Sequence, residues 1–223
     1  MTFDVSLLGY KELNQQLRAV NDPEIELTGC IGQRFIAAGT GGKRIGIHGI
    51  SGNALGAYLN GSVIETFGNA QDAVGDTMNE GEIIVHGSIG GVDHAAVSLS
   101  GCCPGKHLPY IGGRTGSFLG EYQAGGIIIV LGLHDDGKPI VSNYPNTGMH
   151  GGKVFLRSDC KGIHFPHQVH AKPAEADDLE EIRPHIEAYC AHFGGSAEEL
   201  LRSDFTLVTP DSGNPYRQMY VAN

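Results

Sequence analysis

The sequence predicts an all-β fold, a right-handed parallel β-helix with short helices at both ends. Three observations carry this: a glycine repeat near 19 residues, a β-branched run closing each copy, and a glycine excess in a chain rich enough in aliphatics to fold. Glycine supplies 34 of 223 residues, about twice its ordinary usage. Collagen would place it at every third position, and this chain does not. Low-complexity disorder is poor in aliphatics, whereas 40% of this chain is hydrophobic.

The repeat is read directly from the glycines. Gly68, Gly75, Gly81 and Gly87 stand at offsets 0, 7, 13 and 19, and Gly113, Gly120, Gly126 and Gly132 repeat those offsets. Gly49, Gly56, Gly61 and Gly68 form an earlier copy with the third glycine one place early. GNAQDAVGDTMNEGEIIVHG (68–87) and GRTGSFLGEYQAGGIIIVLG (113–132) agree between the glycines as well. Partial copies stand at 41–49 (GGKRIGIHG) and 151–158 (GGKVFLRS), and 27 of the 34 glycines fall between Gly39 and Gly152.

Each copy ends in residues suited to a strand, such as Ile83-Ile84-Val85, Ile127-Ile128-Ile129-Val130 and Val154-Phe155. A second apolar pair, Ala73-Val74 or Phe118-Leu119, precedes the central glycine. The glycines between permit corners with positive φ. A period near 19 is too short for strand, helix and return, and suits one coil of a β-helix. One coil cannot bury its apolar face alone, so coils stack. Roughly six coils over residues 39–158, with strands ~4.8 Å apart, give a column about 30 Å tall.

A stack of coils exposes a strand edge at each end unless something covers it. Leu7, Leu8, Leu13, Leu17 and Val20 recur at helical spacing, and Asp22-Pro23 ends that helix. Leu179, Ile182, Ile186, Tyr189, Cys190 and Phe193 form a second helical stripe, interrupted by Pro184 and stopped by Gly194-Gly195. Ser196-x-x-Glu199 opens a short helix through Leu201. The tail from Phe205 to Tyr220 reads as extended and suited to strap onto the column. The organisation is therefore a cap and lead-in (1–30), the coils (31–160), and acidic helices with an extended tail (161–223).

The formal net charge is −10, and residues 174–204 hold nine acids and two bases, leaving the remainder near neutral. No basic stripe for nucleic acid exists. No apolar run reaches the ~18 residues of a membrane span. Met1 to Tyr10 lacks a basic leader region, so a cytoplasmic location is expected. Cys30, Cys102, Cys103, Cys160 and Cys190 are odd in number with no CxxC spacing, which favours free thiols over a disulfide framework or zinc site.

The repeat GNAQDAVGDTMNEGEIIVHG, followed by FLGEYQAGGIIIVLGL (118–133) and TGMHGGKVFLR (147–157), resembles the GXGXG β-helix domain of the glutamate synthase large subunit. Glu12-Leu13-Asn14, Leu17-Arg18 and Asn214-Pro215-Tyr216 are similar to the form that occurs as a separate chain, so the resemblance covers nearly the whole sequence. One of the subunits of formylmethanofuran dehydrogenase belongs to the same domain family. The resemblance implies a non-catalytic scaffold for a glutamate synthase-type oxidoreductase. Partner chains would carry the amidotransferase, FMN and iron–sulfur clusters, with no cofactor and no catalytic residue on this chain. The alternatives are a scaffold in a formylmethanofuran dehydrogenase-like or other redox complex, an autonomous β-helix enzyme, and self-association through the coil faces. One departure stands out: between Gly87 and Gly112 the family has about one more coil, while this chain carries GCCPGKHLPY at 101–110. Either a coil is lost there or a loop replaces it.

Other residues invite a site reading and fit a structural one better. Gly39-Thr40-Gly41-Gly42-Lys43-Arg44 has Arg44 where a phosphate loop needs Ser or Thr, so it reads as a coil corner. His164, His167 and His170 cannot share one helix face, and Pro166 argues against a helix there. Cys102-Cys103 would need a base, with His94 or His107 available only by folding. The chain begins Met1-Thr2-Phe3, without the terminal cysteine of a type-2 amidotransferase. Asp72, Asp76 and Glu121 read as lying at the central turns of successive coils, where stacked carboxylates can bind a cation or serve acid–base chemistry, but Asx-type capping of corner N–H groups fits better. Asn60-Gly61-Ser62 is a glycosylation sequon without any sign of secretion.

Overall fold

The computed structural model describes residues 1–90, 107–133 and 137–212. The strands are β1 (Thr2–Asp4), β2 (Glu24–Ile31), β3 (Arg44–Ile50), β4 (Asn60–Thr66), β5 (Glu80–Val85), β6 (His107–Ile111), β7 (Ala124–Val130), β8 (Gly151–Leu156), β9 (Val169–Pro173) and β10 (Thr206–Pro210). The helices are α1 (Tyr10–Ala19), α2 (Ala176–Phe193) and α3 (Ala197–Leu201). All the strands join one sheet in the order β1-β2-β3-β4-β5-β6-β7-β8-β10-β9. Pairing is parallel from β1 to β8 and antiparallel at β10 and β9. This is the predicted parallel β-helix.

Register gives the length of each coil. Ile45 pairs with Ile64 and Ile64 with Ile83, 19 residues per step. Ile83 pairs with Pro109 and Ile128 with Val154, 26 residues per step. Two coils therefore carry seven additional residues each. Between Gly87 and Gly112 the stack is continuous: His107–Ile111 takes the place of the missing aliphatic run and pairs β5 directly with β7. Of the two alternatives, this continuous pairing with a 26-residue step fits a coil enlarged by a loop, and residues 91–106 of it lie outside the described residues. Ser51, Ala70, Ile89 and Thr115 form a second parallel ladder.

The core follows from two columns. Leu27, Ile47, Thr66, Val85, Ile111, Val130 and Leu156 are in continuous register and face inward. All are buried, and the six apolar members belong to one core cluster with Ile25, Ile45, Ile64, Ile83 and Ile128. Leu13 and Leu17 of α1 join that cluster and cover the N-terminal end of the interior. Leu7, expected in the same stripe, precedes the helix and is exposed.

The outward column changes character along its length: Glu26, Gly46, Glu65, Ile84, Tyr110, Ile129, Phe155, Leu207. From Ile84 onward it is apolar and buried, because Ile182, Ile186 and Tyr189 of α2 pack on it as a second core cluster. The second helix thus lies on the outer face of the sheet. The C-terminal edge is covered by β10, which straps onto β8 through Thr206–Leu156, Leu207–Phe155 and Val208–Val154. Pro184 leaves α2 unbroken, and Ser196 caps α3 by accepting from the Glu199 N–H at 3.3 Å.

Candidate docking surfaces

Among the described residues, the third side of five coils is a tight turn with one unusual backbone pattern. Positive φ recurs at every second residue: 35/37/39, 54/56/58, 73/75/77, 118/120/122 and 144/146/148. Each turn is closed locally, as by Ala57 N–H to Ala54 O and Leu59 N–H to Gly56 O. Each is also stitched to its neighbours, as by Ala54 N–H to Asp72 O and Gly56 N–H to Ile36 O. The middle residue points inward and is small: Ala37, Gly56, Gly75, Gly120 or Asn146, all buried. A β-carbon on Gly56 would stand 2.6 Å from Ile83 Cδ1, which is why glycine is used there.

The first and third positions face outward and carry side chains that the backbone disfavours. Phe35, Tyr58, Phe118, Tyr122 and Tyr144 have φ between 51° and 62°, where a bulky side chain costs about 1–2 kcal/mol. All but Phe118 are exposed. The coils themselves show that the turn does not require an aromatic: the first position is Ala54 or Ala73 elsewhere, and the third is Gly39, Thr77 or Gly148. Phe35 lies 5.8 Å from the Tyr10 ring, and Phe118 stacks on Tyr144 at 5.4 Å. Exposed, strained aromatics at positions that other coils fill with Ala, Thr or Gly have the composition of a contact surface. The glycine count masks them in the sequence; aligning Phe35, Ala54, Ala73, Phe118 and Tyr144 at the repeat period is the signal that finds them.

A second patch joins the far end of α2 to the sheet. Arg44 pairs with the buried carboxylate of Glu65, and His192 Nε2 lies 3.3 Å from the same Glu65 oxygen. His48 Nε2 is 2.8 Å from Glu26 Oε2 and stacks on Phe67 at 4.6 Å. Phe67 and His86 both contact Phe193. Tyr110 Oη meets His185 Nδ1 at 2.6 Å, and burial, then Glu82, pushes the Tyr110 hydroxyl pKa upward. These contacts lock the helix onto the column.

The residues singled out from sequence come together differently. Thr40 is buried and donates to Ala37 O at 2.8 Å. Lys43 donates to Val20 O, and a β-carbon on Gly41 would stand 2.5 Å from Asn60 O, so 39–44 is a coil corner. Asp76 and Glu121 lie on the turns before β5 and β7, with the coil closing at β6 between them, so they are not on successive coils. Asp76 accepts from Thr77 Oγ1. Corner capping across coils falls instead to Asn53, which accepts from the Asp72 N–H, and Asn69, which accepts from the Ser88 N–H. His164, His167 and His170 are exposed, and among the described residues no group of three His, Cys, Asp or Glu is placed to hold a metal. Cys30 and Cys160 are buried free thiols and Cys190 is half-buried. Burial pushes the Cys30 pKa up to about 11, which suppresses its thiolate. Cys102 and Cys103 lie outside the described residues. No helix among the described residues is long and apolar enough to cross a membrane.

Comparison with known proteins finds sequence relatives of this chain. A model of the GXGXG motif family matches residues 12–100. An uncharacterised protein of Methanocaldococcus jannaschii is 33% identical, over 99% of this chain and 96% of its own length. A ferredoxin-dependent glutamate synthase of Synechocystis is 27% identical over 88% of this chain; the match spans 13% of that enzyme.

Proposed function

This chain belongs to the GXGXG motif family, and we propose that it is a non-catalytic scaffold subunit or domain of a glutamate synthase-type oxidoreductase. The observation that carries this reading is the match to 13% of a ferredoxin-dependent glutamate synthase, across 88% of this chain. The same module exists there as a small part of a large enzyme. A module of this kind meets the remaining parts through its surface. The exposed aromatics on the turn face support that use. The rigid column, with coils hydrogen-bonded to both neighbours, suits a part that holds others in register.

In this reading amidotransferase and FMN/iron–sulfur chains are the partners, and FMN and the clusters reside on them. Glu26 engages His48, and Glu65 engages Arg44 and His192 of α2, which supports a structural role over acid–base chemistry for these groups. The test is affinity purification from the native host, with mass spectrometry and an absorption spectrum of the eluate. A co-purifying amidotransferase and a yellow-brown flavin and iron–sulfur chain are expected. A colourless eluate holding this chain alone would overturn the reading, and a molybdopterin-containing partner would move it to another redox complex.

A further inference from the structure

We propose that the groove between α1 and the first two turns is the docking site for an acidic protein segment, with an apolar anchor, on the partner synthase polypeptide. Tyr10, Phe35 and Tyr58 line the groove together with Lys11, Gln15 and Arg18, and the groove encloses about 540 Å³. The partner's identity rests on the scaffold reading above; the groove's chemistry does not.

The repeat supplies an internal control for the aromatic floor. At the first turn position the fold accepts Ala54 and Ala73, and at the third it accepts Gly39, Thr77 and Gly148. Phe35 and Tyr58 occupy those positions at φ of 57° and 56°, against their conformational preference. Both rings remain exposed, at 42% and 57%, and Tyr10 beside them at 43%. Nothing in the coil interior gains from these rings. Retained strain with exposed aromatic area points to contacts made outside the chain.

Charge selects the occupant. The whole chain carries a formal net charge of −10, yet two cations and no carboxylate line this groove. Arg18 Nη2 lies 3.3 Å from Ala38 O at the groove wall, and Lys11 Nζ stands 5.9 Å from the Tyr10 ring centre. A second copy meeting the groove through its own groove would oppose like charges. An acidic segment would meet complementary charge, and its apolar anchor would fill the aromatic floor.

The test uses the complex isolated with full-length chain. The double variant Phe35→Asn/Tyr58→Asn keeps side chains that tolerate positive φ, so its unfolding midpoint stays at or above wild type. Lys11→Glu/Arg18→Glu reverses the rim. Each is expected to weaken association with the flavin-bearing partner at least tenfold, and the rim variant to remove most of the salt dependence. A photo-crosslinking residue at position 15 is expected to reach a partner peptide of net negative charge. Wild-type association by both variants, with the flavoprotein present, overturns this proposal and leaves the scaffold reading standing. Crosslinks to a second copy of this chain overturn it as well. Absence of a flavoprotein from the wild-type complex overturns both.

Discussion

Replacing Gly68 by Ala tests how the coils are stacked. Gly49, Gly68, Gly87 and Gly113 follow one another at the coil period, and each stands against the coil before it. A β-carbon on Gly68 would lie 2.2 Å from Gly49 O and 3.2 Å from Gly49 C. An ordinary contact needs about 1 Å more, which the ~4.8 Å spacing supplies only by opening two coils. The bonds at risk are Phe67 N–H to Ile47 O (2.9 Å), Gly87 N–H to Gly68 O (3.1 Å) and Ser51 N–H to Asn69 O (3.2 Å). Losing two or three at about 1 kcal/mol each gives a cost of about 2–3 kcal/mol, or roughly 5–10 °C for a chain of this size. Gly39→Ala is the comparison. Gly39 has φ +68° and its β-carbon would meet nothing within 4 Å. It loses only about 1 kcal/mol of conformational preference, partly offset in the unfolded chain. Urea denaturation of both variants measures the difference. If Gly39→Ala costs as much as Gly68→Ala, the stacking role is wrong and these glycines serve turn geometry alone.

Glu65→Gln removes the carboxylate shared by Arg44 and His192. With Arg44 half exposed, a loss of about 1–2 kcal/mol is expected, seen as faster amide exchange in the last turn of α2; unchanged exchange there would refute the clamp. The raised Cys30 pKa means that the folded state holds a proton which the unfolded state releases from about pH 9, so stability falls as pH rises from about 9 through 11. Cys30→Ala should flatten part of that decline, and the native Cys30 thiol should resist alkylation at pH 8. Ending the chain before Phe205 removes β10 and bares the edge of β8. Light scattering should then show concentration-dependent association; a monodisperse product would mean that the edge is covered otherwise.

The coils are legible because a solenoid repeats its needs at a fixed interval. Glycine offsets and the runs at 83–85 and 127–130 suffice to place β5 and β7. β2 escapes the pattern, because EIELTGCI pairs with β3 without the glycine spacing. β6 escapes for a related reason: HLPYI keeps inward Ile111 but lacks the paired glycines. The seat of α2 is written in the strands, in a signal subtler than the glycines. RIGIHG at 44–49 alternates, as a half-exposed strand does, whereas Ile127–Val130 and Val154–Leu156 are apolar on both faces and need a cover outside as well as inside. The aromatics of the turn face are hidden by the opposite logic. They occupy positions the fold fills with Ala, Thr or Gly, so a search for what the fold requires passes over them.

The scaffold reading holds that this chain organises chemistry performed elsewhere. The measurement that bears on it is glutamine-dependent glutamate formation by the isolated chain, by the partner chains stripped of it, and by the two recombined. The isolated chain should turn over nothing. The stripped partners should lose glutamine-dependent turnover, and recombination should restore it. Turnover by the isolated chain, or an undiminished rate from the stripped partners, would show that the chain is not a scaffold for this reaction.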